Sequence, residues 1–184
     1  MHMLLRILVP AKNKENARIR AGEIVNDLVR NGEFDYGVFF NEDLPLAGKN
    51  RWGSLPVAVP YNSRLGKRLI KQGIRFTWKE FYDGYKNLKR CLRKYTAREL
   101  FEGKILSKRN SIKKVMEKIT NEKNDDLFMF DLWLWQLLRE RYSYFVVGFN
   151  FGPIRNNTEL KNLFEAIELS KGEKWWVVPV DVHY

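Results

Sequence analysis

The sequence predicts an α+β protein: a ferredoxin-like split βαβ fold, in which a four-stranded antiparallel sheet carries a basic helical insertion between its two βαβ halves. Three observations lead there. A strand–helix–strand pattern stands at each end of the 184-residue chain. Apolar residues in the middle recur at helical spacing. The basic excess is confined to that middle: residues 64–123 hold 19 Lys and Arg against 6 Asp and Glu, while the rest holds 14 against 16. The formal net charge of +11 therefore belongs to one block. A single domain is expected, in three parts: 1–61 (first βαβ unit and a long loop), 62–142 (basic helical insertion) and 143–184 (second βαβ unit).

Leu4 to Val9 reads as a buried strand ended by Pro10. A helix over 14–30 follows, with Ala17, Ala21, Ile24, Val25 and Leu28 as its apolar stripe and Asn31-Gly32 as its stop. Phe34 to Phe40 is the second strand. The loop 41–61 carries Pro45, Gly48, Gly53, Pro56 and Pro60, with Arg51 and Trp52 at its centre. Long ordered loops often carry function, so both residues are candidate contacts, and the bland alternative is a tryptophan folded back over the core.

In the basic block, Ser63 caps a helix that stops at Gly73, and Thr77 with Glu80 forms a capping box that starts another. Phe81, Tyr85, Leu88, Leu92 and Tyr95 are its expected core stripe. Lys79, Lys86, Arg90 and Arg93 fall on a different face. A further helix over 111–119 turns Lys113, Lys114 and Lys118 outward. The helix 127–141 is apolar on most faces (Phe128, Trp133, Trp135), as for a core helix or a subunit contact. Residues 144–151 form the third strand, 158–169 a helix, and 175–184 the last strand. Pro179 places that strand at a sheet edge, because proline donates nothing to a ladder.

With 45% hydrophobic and 14% aromatic residues the chain can bury a core, which argues against disorder. The lone Cys91 allows no intrachain disulfide and fits a reducing cytoplasm. The charged surface is compatible with a thermophile. No signal peptide and no membrane span are expected, since the longest apolar patch falls short of the ~20 residues a span needs.

Few residues suggest catalysis. His2, Cys91 and His183 lie far apart in sequence and lack zinc-ligand spacing, so no metal or cofactor is expected. On the last strand, alternation puts Asp181 and His183 on one face, where they can share a metal or orient a base. The bland reading of the same pair is a polar row on an exposed edge. Leu44 to Lys49 lacks the glycine spacing of a phosphate loop.

The segments Phe34-Asp35-Tyr36, Arg51-Trp52-Gly53 and Trp176-Val177-Val178-Pro179-Val180-Asp181-Val182-His183-Tyr184 resemble uncharacterised archaeal hypothetical proteins, some associated with plasmids and viruses. The resemblance implies a lineage and carries no activity or site.

The reading from sequence is a cytoplasmic protein that binds DNA or RNA without catalysis and without base readout. Its expected contacts are Arg68, Lys71, Lys79, Lys86, Arg90, Arg93, Lys113 and Lys114, with Trp78, Tyr82 and Tyr95 available for stacking. Two other classes stay open. One is a metal-dependent nuclease centred on Asp181 and His183. The other is a structural subunit that forms a homodimer through the helix 127–141.

Overall fold

The computed structural model describes residues 2–40, 49–98, 134, 145–149, 152–168 and 173–183. Its elements are β1 (His2–Ala11), α1 (Lys14–Arg30), β2 (Tyr36–Phe39), α2 (Lys49–Trp52), β3 (Val59–Pro60), α3 (Arg64–Lys94), β4 (Val146–Gly148), α4 (Asn157–Glu168) and β5 (Lys174–His183). The chain divides into two compact units, Met1–Trp78 with Ser143–Tyr184, and Lys79–Tyr142.

The first unit is built on a mixed sheet in the order β2-β5-β1-β4, with β3 also paired to β5. β1 and β5 run antiparallel over ten residue pairs, from His2↔His183 to Ala11↔Lys174. β2 and β3 are both antiparallel to β5, and β4 is parallel to β1. The α+β class holds, but the sheet is five-stranded and mixed where four antiparallel strands were expected. The first βαβ unit is present, with β1 and β2 parallel and β5 between them. The second is not, because β4 and β5 run in opposite directions.

Sequence reasoning placed the last strand at an edge; the structure places it at the centre. Pro179 explains how. It lies opposite Arg6, whose amide donates to Phe145 O at 3.0 Å on the far side of β1. Arg6 and Pro179 are therefore a non-hydrogen-bonded pair, and the ladder to β1 asks no donor of the proline. On its other side β2 reaches Val180 and β3 begins at Val177, so the proline falls between two short pairings.

Both faces of the sheet are covered, which is why β1 is an almost unbroken apolar run. On one face Leu5, Ile7, Val9, Val178, Val180 and Val182 pack under Ala17, Ala21, Ile24, Val25 and Leu28 of α1. On the other, Leu8, Val146, Trp175 and Val177 meet Leu69 and Ile70 of α3, with Leu160, Leu163 and Phe164 of α4 against them. α1 ends as its sequence predicts. Asn13 accepts from Asn16 N at its start, and Gly32 takes φ 72° just past its end.

α3 departs from expectation. It is one helix of 31 residues, not two. Ser63 caps it, with Oγ accepting from Gly66 N at 3.0 Å. Gly73 does not stop it: a Cβ there would stand 2.4 Å from Val146 Cγ2 and 2.9 Å from Arg6 Cδ. The glycine serves close approach to the sheet. Thr77 caps nothing; its hydroxyl donates back to Gly73 O at 3.2 Å, inside the helix. Nor is the aromatic row its core stripe, for Phe81, Tyr85 and Leu92 are exposed. The buried positions are Gly66, Leu69, Ile70, Gly73, Thr77, Gly84, Leu88 and Cys91. Small residues, not aromatic ones, occupy the inner line.

Candidate functional site

Two features gather chemistry-bearing side chains. The first lies at one end of the sheet. His2 on β1, His183 on β5 and Tyr36 on β2 are in register across three adjacent strands. Residues directly opposite in a ladder project to the same face, so the three rings form a row. Tyr36 stacks on His183 with centroids 5.1 Å apart and planes 5° apart, and His2 meets His183 edge-on at 5.0 Å.

One step inward on that face stands Asp181, opposite Leu4 and Val38, and only 4% exposed. Its Oδ1 accepts from Trp52 Nε1 at 3.0 Å and lies 3.2 Å from His2 Nδ1. Arg51 NH1 is 3.6 Å from Oδ2. Buried carboxylates persist when hydrogen bonds and opposite charge replace water, and here α2 supplies both. His183 takes a different acid: its Nδ1 lies 2.8 Å from Asp35 Oδ2, while Asp35 N donates to His183 O.

Arg6 lies on the same face of β1, buried, two residues beyond Leu4. Its NH1 donates to Leu4 O at 2.7 Å, its guanidinium carbon is 5.8 Å from the Phe76 ring centre, and among the described residues its Nε finds no partner. Desolvation pushes the guanidinium pKa down to about 10.

The second feature is the outer surface of α3. Arg64, Arg68, Lys71 and Arg75 in the first unit are exposed, as are Lys79, Lys86, Arg90 and Arg93 in the second. At 100° per residue these positions cluster on the side of the helix opposite the buried Gly66–Cys91 line. In the second unit, Lys86, Asn87, Lys89, Arg90, Arg93 and Lys94 line an open depression. Lys86 Nζ is 5.1 Å from the centre of the exposed Tyr82 ring, and Lys89 Nζ 5.9 Å from that of Tyr85.

A family model described as a domain of unknown function, DUF7995, matches residues 1–184. The chain belongs to the DUF7995 family. No curated protein matches it, and no solved structure does.

Within this family member, the expected contacts Arg68, Lys71, Lys79, Lys86, Arg90 and Arg93 are all exposed on one helix. Lys113, Lys114 and the helix 127–141 lie outside the described residues, apart from Leu134. Arg51 and Trp52 converge on Asp181, and the tryptophan spends its N–H there. Asp181 and His183 share a face as alternation requires, but each pairs with a different partner: Asp181 with His2, His183 with Asp35. The bland reading of Asp181, an exposed edge position, is overturned by its burial on a central strand. Among the described residues, no group of three His, Cys, Asp or Glu side chains is arranged to hold a metal ion. No described helix is long and apolar enough to cross a membrane. His2 was missed because its partner stands at the other end of the sequence, and only strand register joins them.

Proposed function

We propose that this protein binds nucleic acid through the exposed basic surface of α3, by sequence-independent contact with phosphates. The observation that carries this is the opposition of two rows on one helix. The inner row is buried, and the outer row is a run of lysines and arginines on a helix about 46 Å long at 1.5 Å per residue. A single strand of a duplex places a phosphate every ~3.4 Å, so a row of that length follows several. Over its 31 residues α3 holds eleven Lys and Arg against two acidic residues, Glu80, which lies beside Lys79, and Asp83, 4.0 Å from Lys86. The helix therefore carries a large positive excess, as a polyanion surface needs.

The lone, buried Cys91 supports a reducing, cytoplasmic setting. The sequence resemblance supports an archaeal origin with plasmid or viral relatives. The reading is tested by fluorescence anisotropy on labelled DNA and RNA, with alanine at Arg68, Lys71 and Arg75 in one variant and at Lys86, Arg90 and Arg93 in another. Each variant is expected to bind at least about tenfold more weakly. Unchanged affinity in both would overturn it.

A further inference from the structure

Over residues 79–94, within the second unit, α3 carries a third stripe, distinct from its buried line and its cation row. Tyr82, Tyr85 and Leu92 are exposed by 45%, 45% and 63%, and Phe81 beside them by 37%. At 100° per residue, positions 82, 85 and 92 centre roughly 100° from the row of Lys79, Lys86, Arg90 and Arg93. They centre roughly 100° from the buried Gly84, Leu88 and Cys91 on the other side. A single apolar side chain on a surface is ordinary and asks for no explanation. Several along one stripe make a continuous face, and such a face marks a contact.

The occupant has to suit rings and cations at once. Lys86 Nζ lies 5.1 Å from the centre of the Tyr82 ring, and Lys89 Nζ 5.9 Å from that of Tyr85. Each tyrosine thus has an ammonium group four residues on, at the scale that separates a base from its phosphate. Residues 79–94 hold six Lys and Arg against two acids, so a second copy of this face would meet like charge. A duplex offers phosphates to the cations but keeps the flat faces of its bases stacked on one another. A single strand offers both, phosphates along one side and open bases along the other. An exposed cation–π contact is worth about two- to fivefold in affinity, and a base stacked on an aromatic ring about five- to 150-fold. A base therefore displaces the ammonium from the ring, and the freed lysine meets the phosphate.

We propose that the ligand of α3 is single-stranded nucleic acid, with bases stacked on Tyr82 and Tyr85 and phosphates on Lys86, Lys89, Arg90 and Arg93, an inference that rests on the phosphate-binding reading above. Leu92 gives the next base or sugar an apolar seat beyond the two rings. Stacking tolerates any sequence, because every base has a π-face. Neither contact reads a base edge or a 2′-hydroxyl, so DNA and RNA strands share the chemistry that is recognised.

The test follows the anisotropy of fluorescein-labelled oligothymidine, oligouridine of the same length, an abasic strand of the same length and charge, and a duplex, each with the full chain. The thymidine and uridine strands should bind at least about tenfold more tightly than the abasic strand. That ratio should hold across a salt series while every affinity falls, since stacking releases no counterions. Tyr82→Ala/Tyr85→Ala should abolish the preference and leave binding of the abasic strand unchanged, whereas Tyr82→Phe/Tyr85→Phe should keep it. Circular dichroism checks the variants, and the comparison of strands on the wild type needs no variant at all. The preference seen with one sugar alone also supports the inference and names the source of the strand. Equal binding of abasic and base-bearing strands, or tighter binding of the duplex, sinks the inference and leaves the phosphate reading standing. A preference that survives the alanine variant assigns stacking elsewhere and also overturns it. So does a dimer in sedimentation that the alanine variant dissolves, which makes the face a contact between copies. Absence of binding to all four overturns both.

Discussion

The indole N–H of Trp52 donates to Asp181 Oδ1 at 3.0 Å, across the surface of the sheet. This bond ties α2 to the central strand and satisfies a carboxylate that is 4% exposed. A hydrogen bond to a buried charged group contributes about 1.5–3 kcal/mol. Trp52→Phe is expected to lose an amount in that range, and much less in an Asp181→Ala background. Urea unfolding of the four proteins of the double-mutant cycle measures the coupling, and a coupling near zero would show that the bond holds nothing.

Gly73 sets helix propensity against packing. In an exposed helix interior, Gly→Ala gains about 1 kcal/mol. Here the added methyl would stand 2.4 Å from Val146 Cγ2, 2.9 Å from Arg6 Cδ and 3.1 Å from Phe145 O. Overpacking of this kind costs about 1–3 kcal/mol, and the backbone oxygen cannot swing aside. Gly73→Ala is therefore expected to lower the urea midpoint. A raised midpoint would mean that α3 sits farther from β4 than the structure places it.

Pro179 yields a positional prediction on β5. Its nitrogen faces away from β1, into the space between the β2 and β3 pairings. Pro179→Val should therefore change stability by about 1 kcal/mol or less. Val180→Pro, one residue on, would remove a donor from the ladder to Leu5 and should prevent cooperative unfolding. Thermal melts of the two variants separate them, and similar behaviour would contradict the register.

Much of the local structure was legible. The stripe of α1, its Asn31-Gly32 stop and the Ser63 cap of α3 are short-range signals, and each was found where the residues put it. What failed was information held elsewhere. Gly73 read as a stop because a lone glycine inside a helix and one at its end look alike locally. Its distance to Val146 decides between them. A row at 66, 70, 73, 77, 84, 88 and 91 was the available sign of one continuous helix. The aromatic row over 81–95 hid it, since exposed rings at helical spacing imitate a core. Strand order was not legible, because Pro179 is excluded from a central strand only if its amide is needed there. The site at the sheet end was half legible: alternation gave Asp181 and His183 one face, while His2 joined them only through the register of β1 with β5.

The central claim is that the outer surface of α3 meets phosphates, and salt dependence tests it most directly. Binding of single- and double-stranded DNA and of RNA should be followed across a salt series, with Lys86→Ala/Arg90→Ala/Arg93→Ala beside the wild type. Six phosphate contacts lower affinity by about three decades between about 50 and 200 mM salt. The account predicts a steep slope for the wild type, reduced by roughly three charges' worth in the triple variant. A shallow slope shared by both proteins, with weak binding at low salt, would contradict it.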